Sequence, residues 1–484
     1  MKNISSWIVL AAIGLAFASP SWADAQSEAA ARNRHVQSLL KAGDRSKALT
    51  AAEEALRANE ADLGPDHREV ATSHYLLGLL HQMRGRYKKA DEYHRRALAI
   101  RETTLDPNDL NIADSAMALG AMHRNRGWYG TAEPMLKRGL AIREAALGSH
   151  HPKVAHSLRE LARMYRVQDR FAEAEKLARR ALAILEKALG LSDPIVAEAL
   201  NELALIFHNQ RRFAEAEPFY LRALKIRQQA LPANDILIAR SLSNLAALYQ
   251  NQRNFTLAAR YYERTLAVKK AALGPKHPDI AITHRNLGLM YRDKGEAGTA
   301  ETHFNQAIAL LEASLGPDAP VVAGTLVSLA GLYASEERYE EAETLLKRSI
   351  GIWETALDPH HPAVARALSA LAQLYLRRQR FEEAEELQAR SATILERAMG
   401  PEHPDLATAL ANLALIAYEN GRFTDAERHY RRALAIRERK LGAKDALVAD
   451  SLDALARTLK KLSKTEEMAE LEARAQSIRS ALGR

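Results

Sequence analysis

The chain has no cysteine among its 484 residues. No disulfide can staple the fold, no thiolate can act as nucleophile or metal ligand, and no lipid-bearing cysteine can follow a leader. Phenylalanine (9) and glycine (23) are sparse beside abundant alanine and leucine. That balance favours helices over the β-branched and aromatic residues that strands prefer. Long blocks of one charge sign are missing too. Lys plus Arg (68) exceed Asp plus Glu (60) by a formal +8, but the signs interleave, so the excess alone is no nucleic-acid footprint. With 47 % hydrophobic and 26 % charged residues, disorder is excluded.

Motifs of catalysis are lacking as well: no GxxxxGKS phosphate loop, no GxSxG elbow, no HExxH helix. A long apolar run occurs only at the start. Lys2, the stretch from Trp7 to Ala18, and Ser21-Trp22-Ala23 read as a secretory leader over residues 1–23, cleaved after Ala23 or, next in order, Ala25. The run is well short of the roughly 20 residues a spanning helix needs. The expectation is an exported chain, periplasmic or secreted, with no membrane span once the leader is gone. Export and the lack of interleaved stacking aromatics argue against a nucleic-acid partner.

What is present is a period. Every 42 residues from Leu77 stands a leucine: Leu119, Leu161, Leu203, Leu245, Leu287, Leu329, Leu371, Leu413 and Leu455. The next position is always Gly or Ala, and thirteen residues after the leucine comes alanine in nine successive copies, Ala90 to Ala426. Such self-similarity marks a repeat architecture. Each period divides into two helices. The first starts at a capping column (His67, Asp109, His151, Asp193, Asp235, His277, His361, His403, Asp445, with Ala319 the exception), often followed by proline, which loses nothing in a first turn. The second opens on Tyr or Phe in most copies and ends at Gly64, Gly148, Gly190, Gly274, Gly316, Gly400 or Gly442. Leu242, Leu245, Ala246 and Tyr249 share one helical face, which can be buried only by stacking pair on pair. In the sixth clear copy Ala297 replaces the aromatic and Gly298 follows, which predicts a weak seam in the stack.

These columns resemble tetratricopeptide repeats of the 42-residue, kinesin light chain-like kind. The signature is clearest in LGPKHPDIAITHRNLGLMYRDKG (273–295) and RFAEAEPFYLRALKIRQQAL (212–231). The expected layout is a divergent helix pair over 24–62, nine repeats over 63–440 and a C-terminal capping pair over 441–484. Ala48 stays in register in the first of these, while Met468 departs from the alanine column in the last. Removing 23 residues leaves 461, one short of eleven periods. The resemblance implies an all-α, right-handed solenoid of about eleven antiparallel helix pairs, whose first helices line a concave groove for extended peptides. The groove residues it implies lie opposite the leucine face: Arg159, Arg163, Arg166, Asn201, His208, Asn209, Arg240, Asn244, Gln250, Asn251, Arg285, Asn286 and Arg292. Asn can donate to and accept from a peptide backbone, and Arg suits carboxylates, so acidic segments are the sharper expectation. Glu160, Glu198, Glu202 and Asp293 are close enough in sequence pattern to occupy those arginines instead.

Since repeats consume nearly every residue, a non-enzymatic scaffold with a protein partner, no cofactor and no metal is expected. A structural or self-assembling envelope component is the alternative. The pairs His150-His151 and His360-His361 suggest metal at first sight, but one of each falls in the capping column. Glu340-Glu341 and Glu382-Glu383 fall in first turns, where negative charge offsets the helix dipole.

Overall fold

A computed structural model describes residues 22–443 and 445–481; the expected leader lies outside the described residues except for Trp22 and Ala23, which open the first helix. The described residues form twenty-two helices and no strand. In chain order the pairs are α1 (Trp22–Lys41) and α2 (Arg45–Leu63), α3 (Arg68–Met83) and α4 (Tyr87–Thr104), α5 (Leu110–Asn125) and α6 (Tyr129–Leu147), α7 (Pro152–Val167) and α8 (Phe171–Leu189). There follow α9 (Pro194–Asn209) and α10 (Phe213–Ala230), α11 (Ile236–Asn251) and α12 (Phe255–Leu273), α13 (Pro278–Lys294) and α14 (Ala297–Leu315), α15 (Pro320–Ser335) and α16 (Tyr339–Ala356). The last are α17 (Pro362–Arg377) and α18 (Phe381–Met399), α19 (Pro404–Glu419) and α20 (Phe423–Leu441), α21 (Ala446–Lys461) and α22 (Thr465–Ala481). Two compact units divide the chain, residues 1–122 and 123–484. Within each, an odd-numbered helix packs on the even one after it, as α3 on α4 and α13 on α14, and pair stacks on pair, as α2 on α3 and α12 on α13. The fold is an all-α solenoid.

The starts and stops follow from the capping chemistry. His67, His151, His277, His361 and His403 each accept, through Nδ1, the backbone N–H two residues on, at 3.1–3.2 Å. Asp109, Asp193, Asp235 and Asp445 do the same through Oδ1 at 2.7–2.8 Å. Both histidine pairs therefore contribute a cap, and no cluster of three metal-ligating side chains exists among the described residues. The periodic leucines are buried at 5 % exposure or less, and the nine alanines from Ala90 to Ala426 have none. The small column sets the approach of the helices: a Cβ on Gly288 would stand 2.7 Å from the Phe304 ring, so only glycine fits there. Ala297 and Gly298 open α14 without breaking it.

A turn column went unread in the sequence. Every hairpin places one residue at positive φ, at 42-residue spacing: Gly43, Gly85, Gly127, Gly295 and Gly421, but Asp169, Arg211, Arg253, Glu337, Gln379 and Ser463 at φ 56–61° elsewhere. A left-handed residue with a Cβ costs about 1–2 kcal/mol. Exposed Glu337→Gly is accordingly expected to stabilise its hairpin by about 0.5–1 kcal/mol once glycine's larger loss of chain entropy on folding is set against that relief. Slower hydrogen exchange at the start of α16 checks it.

Polar ties reinforce the stacking at three recurrent places. In the first, Glu133 accepts from Tyr165 (2.9 Å) and Arg170 (2.7 Å), while Arg170 also holds Glu173 (2.6 Å). The bracket recurs as Glu301 with Tyr333, Arg338 and Glu341, and as Glu343 with Tyr375, Arg380 and Glu383. Arg212 on Glu175 and Arg422 on Glu385 continue it. Thus Glu341 and Glu383 are ion-paired at an exposed surface. In the second, arginines of one even helix pair with glutamates of the preceding one: Arg180 with Glu144, Arg222 with Glu186, Arg348 with Glu312, Arg390 with Glu354 and Arg432 with Glu396, at 2.5–2.8 Å. In the third, a buried arginine donates to a serine on the next first helix, Arg143 to Ser157 (2.8 Å) and Arg227 to Ser241 (2.6 Å).

The first two lapse at α11 to α14, and the third, whose arginine is also replaced at Leu185, Leu311, Trp353 and Leu395, is altered there. The bracket's arginine position holds Asn254 and then Glu296, and its glutamate position holds Ala259. The second tie meets Gln228 opposite Arg264 and Lys270 opposite Gln306. In the third, Lys269 reaches the Asp279 carbonyl (2.9 Å) and leaves the buried Thr283 hydroxyl without a partner. An exposed ion pair contributes at most about 1 kcal/mol, so the apolar seam holds the stack; the ties decide where it is weakest.

Candidate functional site

First helices touch one another across pairs, α7 with α9, α13 with α15, α15 with α17 and α17 with α19. Their shared face is therefore the inside of the curve in residues 123–484. The thirteen residues singled out from the sequence all fall on α7, α9, α11 and α13, and most of them pair with one another or with acids. Arg159 donates to Glu198 (2.7 Å), and Arg163 to Glu160 (2.7 Å) and Glu202 (2.8 Å). Arg124 joins this network through Glu160 at 2.5 Å. Burial alone would push the Glu160 carboxyl up, but Arg124 and Arg163 together hold it below the usual range.

Further along, Asn244 donates to Asn201 (2.6 Å), Asn251 bonds His208 (2.6 Å) and Gln250 donates to Asp293 (2.6 Å). Arg292 also holds Asp293 at 2.9 Å. The Asn209 amide is oriented to donate to the Leu205 carbonyl (3.2 Å) and accept from Arg166 (3.0 Å). Arg240 lies 3.9 Å from Glu198, and burial lowers the pKa of His208, keeping its ring neutral.

Free availability is thus the part of the sequence expectation that needs correction. Arg159 and Asn201 are 5 % and 4 % exposed, and Arg159 and Arg163 are already occupied. The curve brings successive first helices so close that side chains 39 or 43 residues apart close on each other before any ligand arrives.

Arg285 differs. Among the described residues it has no hydrogen-bond or ion-pair partner, its Nε is buried, and burial lowers its pKa with no carboxylate opposing. Its Nη1 would stand 3.4 Å from a Cβ on Gly324, and Arg292 Nη1 3.9 Å from one on Gly331, so both guanidiniums lie against α15 at glycine positions. Asn286, half-buried, follows on the same helix.

The same face continues beyond the residues picked from the sequence. An open cavity of about 290 Å³ between α17 and α19 is lined by Arg366, Ser369, Gln373, Asp405, Thr408 and Asn412 among others. The signal was available: Ser369 stands five periods after Arg159, Gln373 five after Arg163, and Asn412 three after Asn286. No helix among the described residues is long and apolar enough to cross a membrane.

The tetratricopeptide repeat family model matches residues 27–103, 111–187, 160–229, 195–271, 237–313, 321–397, 371–439 and 405–481. No curated protein matches. Among solved structures, the chain is similar to the nearly identical repeats of a kinesin light chain from Podosopora anserina: 24 % identity, 43 % of this chain and 99 % of that one, TM-score 0.39. It is similar to BtubC from P. vanneervenii at 25 % identity, with 47 % of this chain and 89 % of that one covered and a TM-score of 0.39. A Rap protein complexed with competence and sporulation factor is similar at 16 % identity over 86 % of this chain and 99 % of that one, TM-score 0.53, a likeness of fold.

Proposed function

Because the chain belongs to the tetratricopeptide repeat family, a family of protein-interaction scaffolds, we propose that it is a non-catalytic adaptor that holds extended peptide segments, acidic ones by preference, against the inner face of its first helices. Export through the leader at residues 1–23, to the periplasm or beyond, is part of this reading. The observation that carries it is Arg285: a half-buried guanidinium without a carboxylate, on a face where Arg159 and Arg163 of α7 are neutralised. A buried cation lacking a counter-ion is costly to keep, and an incoming carboxylate would relieve it.

The test is fluorescence anisotropy with two labelled peptide pools, one rich in Asp and Glu, one in Lys. The acidic pool is expected to bind more tightly, more weakly as salt rises, and about tenfold or more weakly to Arg285→Gln, as loss of a charge-assisted hydrogen bond requires. Arg163→Ala should matter far less, since Glu160 and Glu202 already occupy that side chain. Equal binding of both pools, unmoved by Arg285→Gln, would dismiss the acidic preference.

A further inference from the structure

The 42-residue repeat supplies its own control for burial, because each column shows what a position does when nothing beyond the neighbouring pair touches it. Three residues break their columns. Tyr129 is buried, whereas Tyr87, Phe171, Phe213, Phe255, Tyr339, Phe381 and Phe423 at the same position are only half-buried. Pro362 is buried, whereas Pro152, Pro194, Pro278, Pro320 and Pro404 are not. His403 is buried, whereas His67, His151, His277 and His361 are half-buried. Something other than the local stack covers these three.

They cover each other's elements. The turn before α6 lies against the start of α17: Arg126 Nη2 is 3.9 Å from Asp358 Oδ2, and a Cβ on Gly127 would stand 3.2 Å from Pro362 Cγ. α6 also touches α18. One pair on, Asp169 at the tip of the α7–α8 turn is desolvated, which raises its carboxyl pKa, with the His403 ring and Asp405 close enough to act on it. Five helix pairs, α7 to α16, separate the two sides of this contact in the chain. The second unit therefore curls until its start meets α17. Among the described residues the contact joins turn tips and helix starts, with the Arg126–Asp358 ion pair beside the buried Tyr129 and Pro362, and it is far smaller than the seam between neighbouring pairs, so it can part without unfolding any helix.

Between the two sides lies the stretch, α11 to α14, where the first two polar ties lapse, with Asn254 and Glu296 for arginine, Ala259 for glutamate and Lys270 opposite Gln306, and where Lys269 in the third leaves the Thr283 hydroxyl without a partner. Gly298 in the first turn of α14 adds backbone freedom at the same place. We infer that residues 123–484 form a latched ring, in which the α5–α6 turn and the start of α17 are a reversible latch and the α12–α13 junction is the hinge on which it opens. The opening needs no ligand; that it admits a segment to the inner face rests on the function proposed above. A hinge at a few positions far from the moving contact is the usual architecture of such closures.

The absence of native cysteine makes the test direct. Gly130→Cys and His360→Cys, both exposed positions flanking the latch, are spin-labelled in the full chain and their separation is read by pulsed dipolar spectroscopy without any peptide. A short-distance component together with a minor longer one is expected. Asp358→Arg, which sets a second cation beside Arg126, should move population to the longer distance, and Arg126→Asp on top of it should move it back. Ala259→Glu with Glu296→Arg, which rebuilds the missing bracket, should deplete the longer component although it lies far from both labels. A parent chain with no short component refutes the latch. A short component that none of these changes shifts refutes the reversible opening. Neither result depends on whether Arg285 receives an acidic peptide, so the two proposals fail separately.

Discussion

Leu245→Ala is expected to destabilise the chain by about 2–5 kcal/mol, the sum of lost transfer free energy and a cavity that close packing cannot collapse. Leu245 has no exposure on α11, and Leu242, Leu248, Ala246 and Tyr249 around it are all buried. The site lies where the polar ties between pairs are thinnest, so little else compensates. In a stack where each pair contacts its neighbours alone, the loss should appear first as faster hydrogen exchange in α11 and α12 and spread into α13. A shift below about 1 kcal/mol in denaturant unfolding would remove Leu245 from the load of the seam.

Acid should weaken the first unit through His74 by about 3 kcal/mol. The ring sits on α3 at 7 % exposure, and burial, with Arg96 adding to it, pulls its pKa from 6.5 down to about 4. Glu60 stands 3.6 Å from Nε2 without offsetting that burial. The unfolded chain takes up its proton near 6.5 and the folded chain refuses it until about 4, so unfolding binds protons in between. Stability is complete above pH 6.5 and falls with decreasing pH by about 1.4 kcal/mol per unit until the folded pKa is reached. Denaturant midpoints measured between pH 7.5 and 4 are expected to drop, and those of His74→Leu to drop less steeply. Parallel slopes for parent and variant would assign the acid sensitivity to other groups.

Much of the fold was legible because its determinants are local. A histidine or aspartate that caps the next helix acts within two residues, and a leucine that meets its neighbour's alanine needs only the period to be recognised. The αL column was illegible for the opposite reason: Asp169, Arg211, Arg253, Glu337, Gln379 and Ser463 share no side-chain property, since the backbone of the hairpin imposes the conformation on whatever residue stands there. The bracket of Arg170, Glu133 and Tyr165 lay open in the sequence as recurrent arginine and glutamate columns, yet nothing in one copy says which glutamate the arginine will choose. For the inner face, the sequence named thirteen residues, which lie on four helices and take part in a polar ladder. It could not distinguish Arg163, held by two glutamates, from Arg285, held by none.

The spacing of 42 residues, with its caps, stops and small columns, by itself determined that helices would form, where they would end, and that each pair would bury its leucine face on the next. Those are nearest-neighbour properties, and a periodic chain repeats them at every step. Tertiary structure alone decided the curvature, and with it which arginines are spent on neighbouring glutamates and which turn meets which helix start five pairs away. Curvature accumulates from small rotations between pairs, so no single repeat carries a signal for where the chain will meet itself.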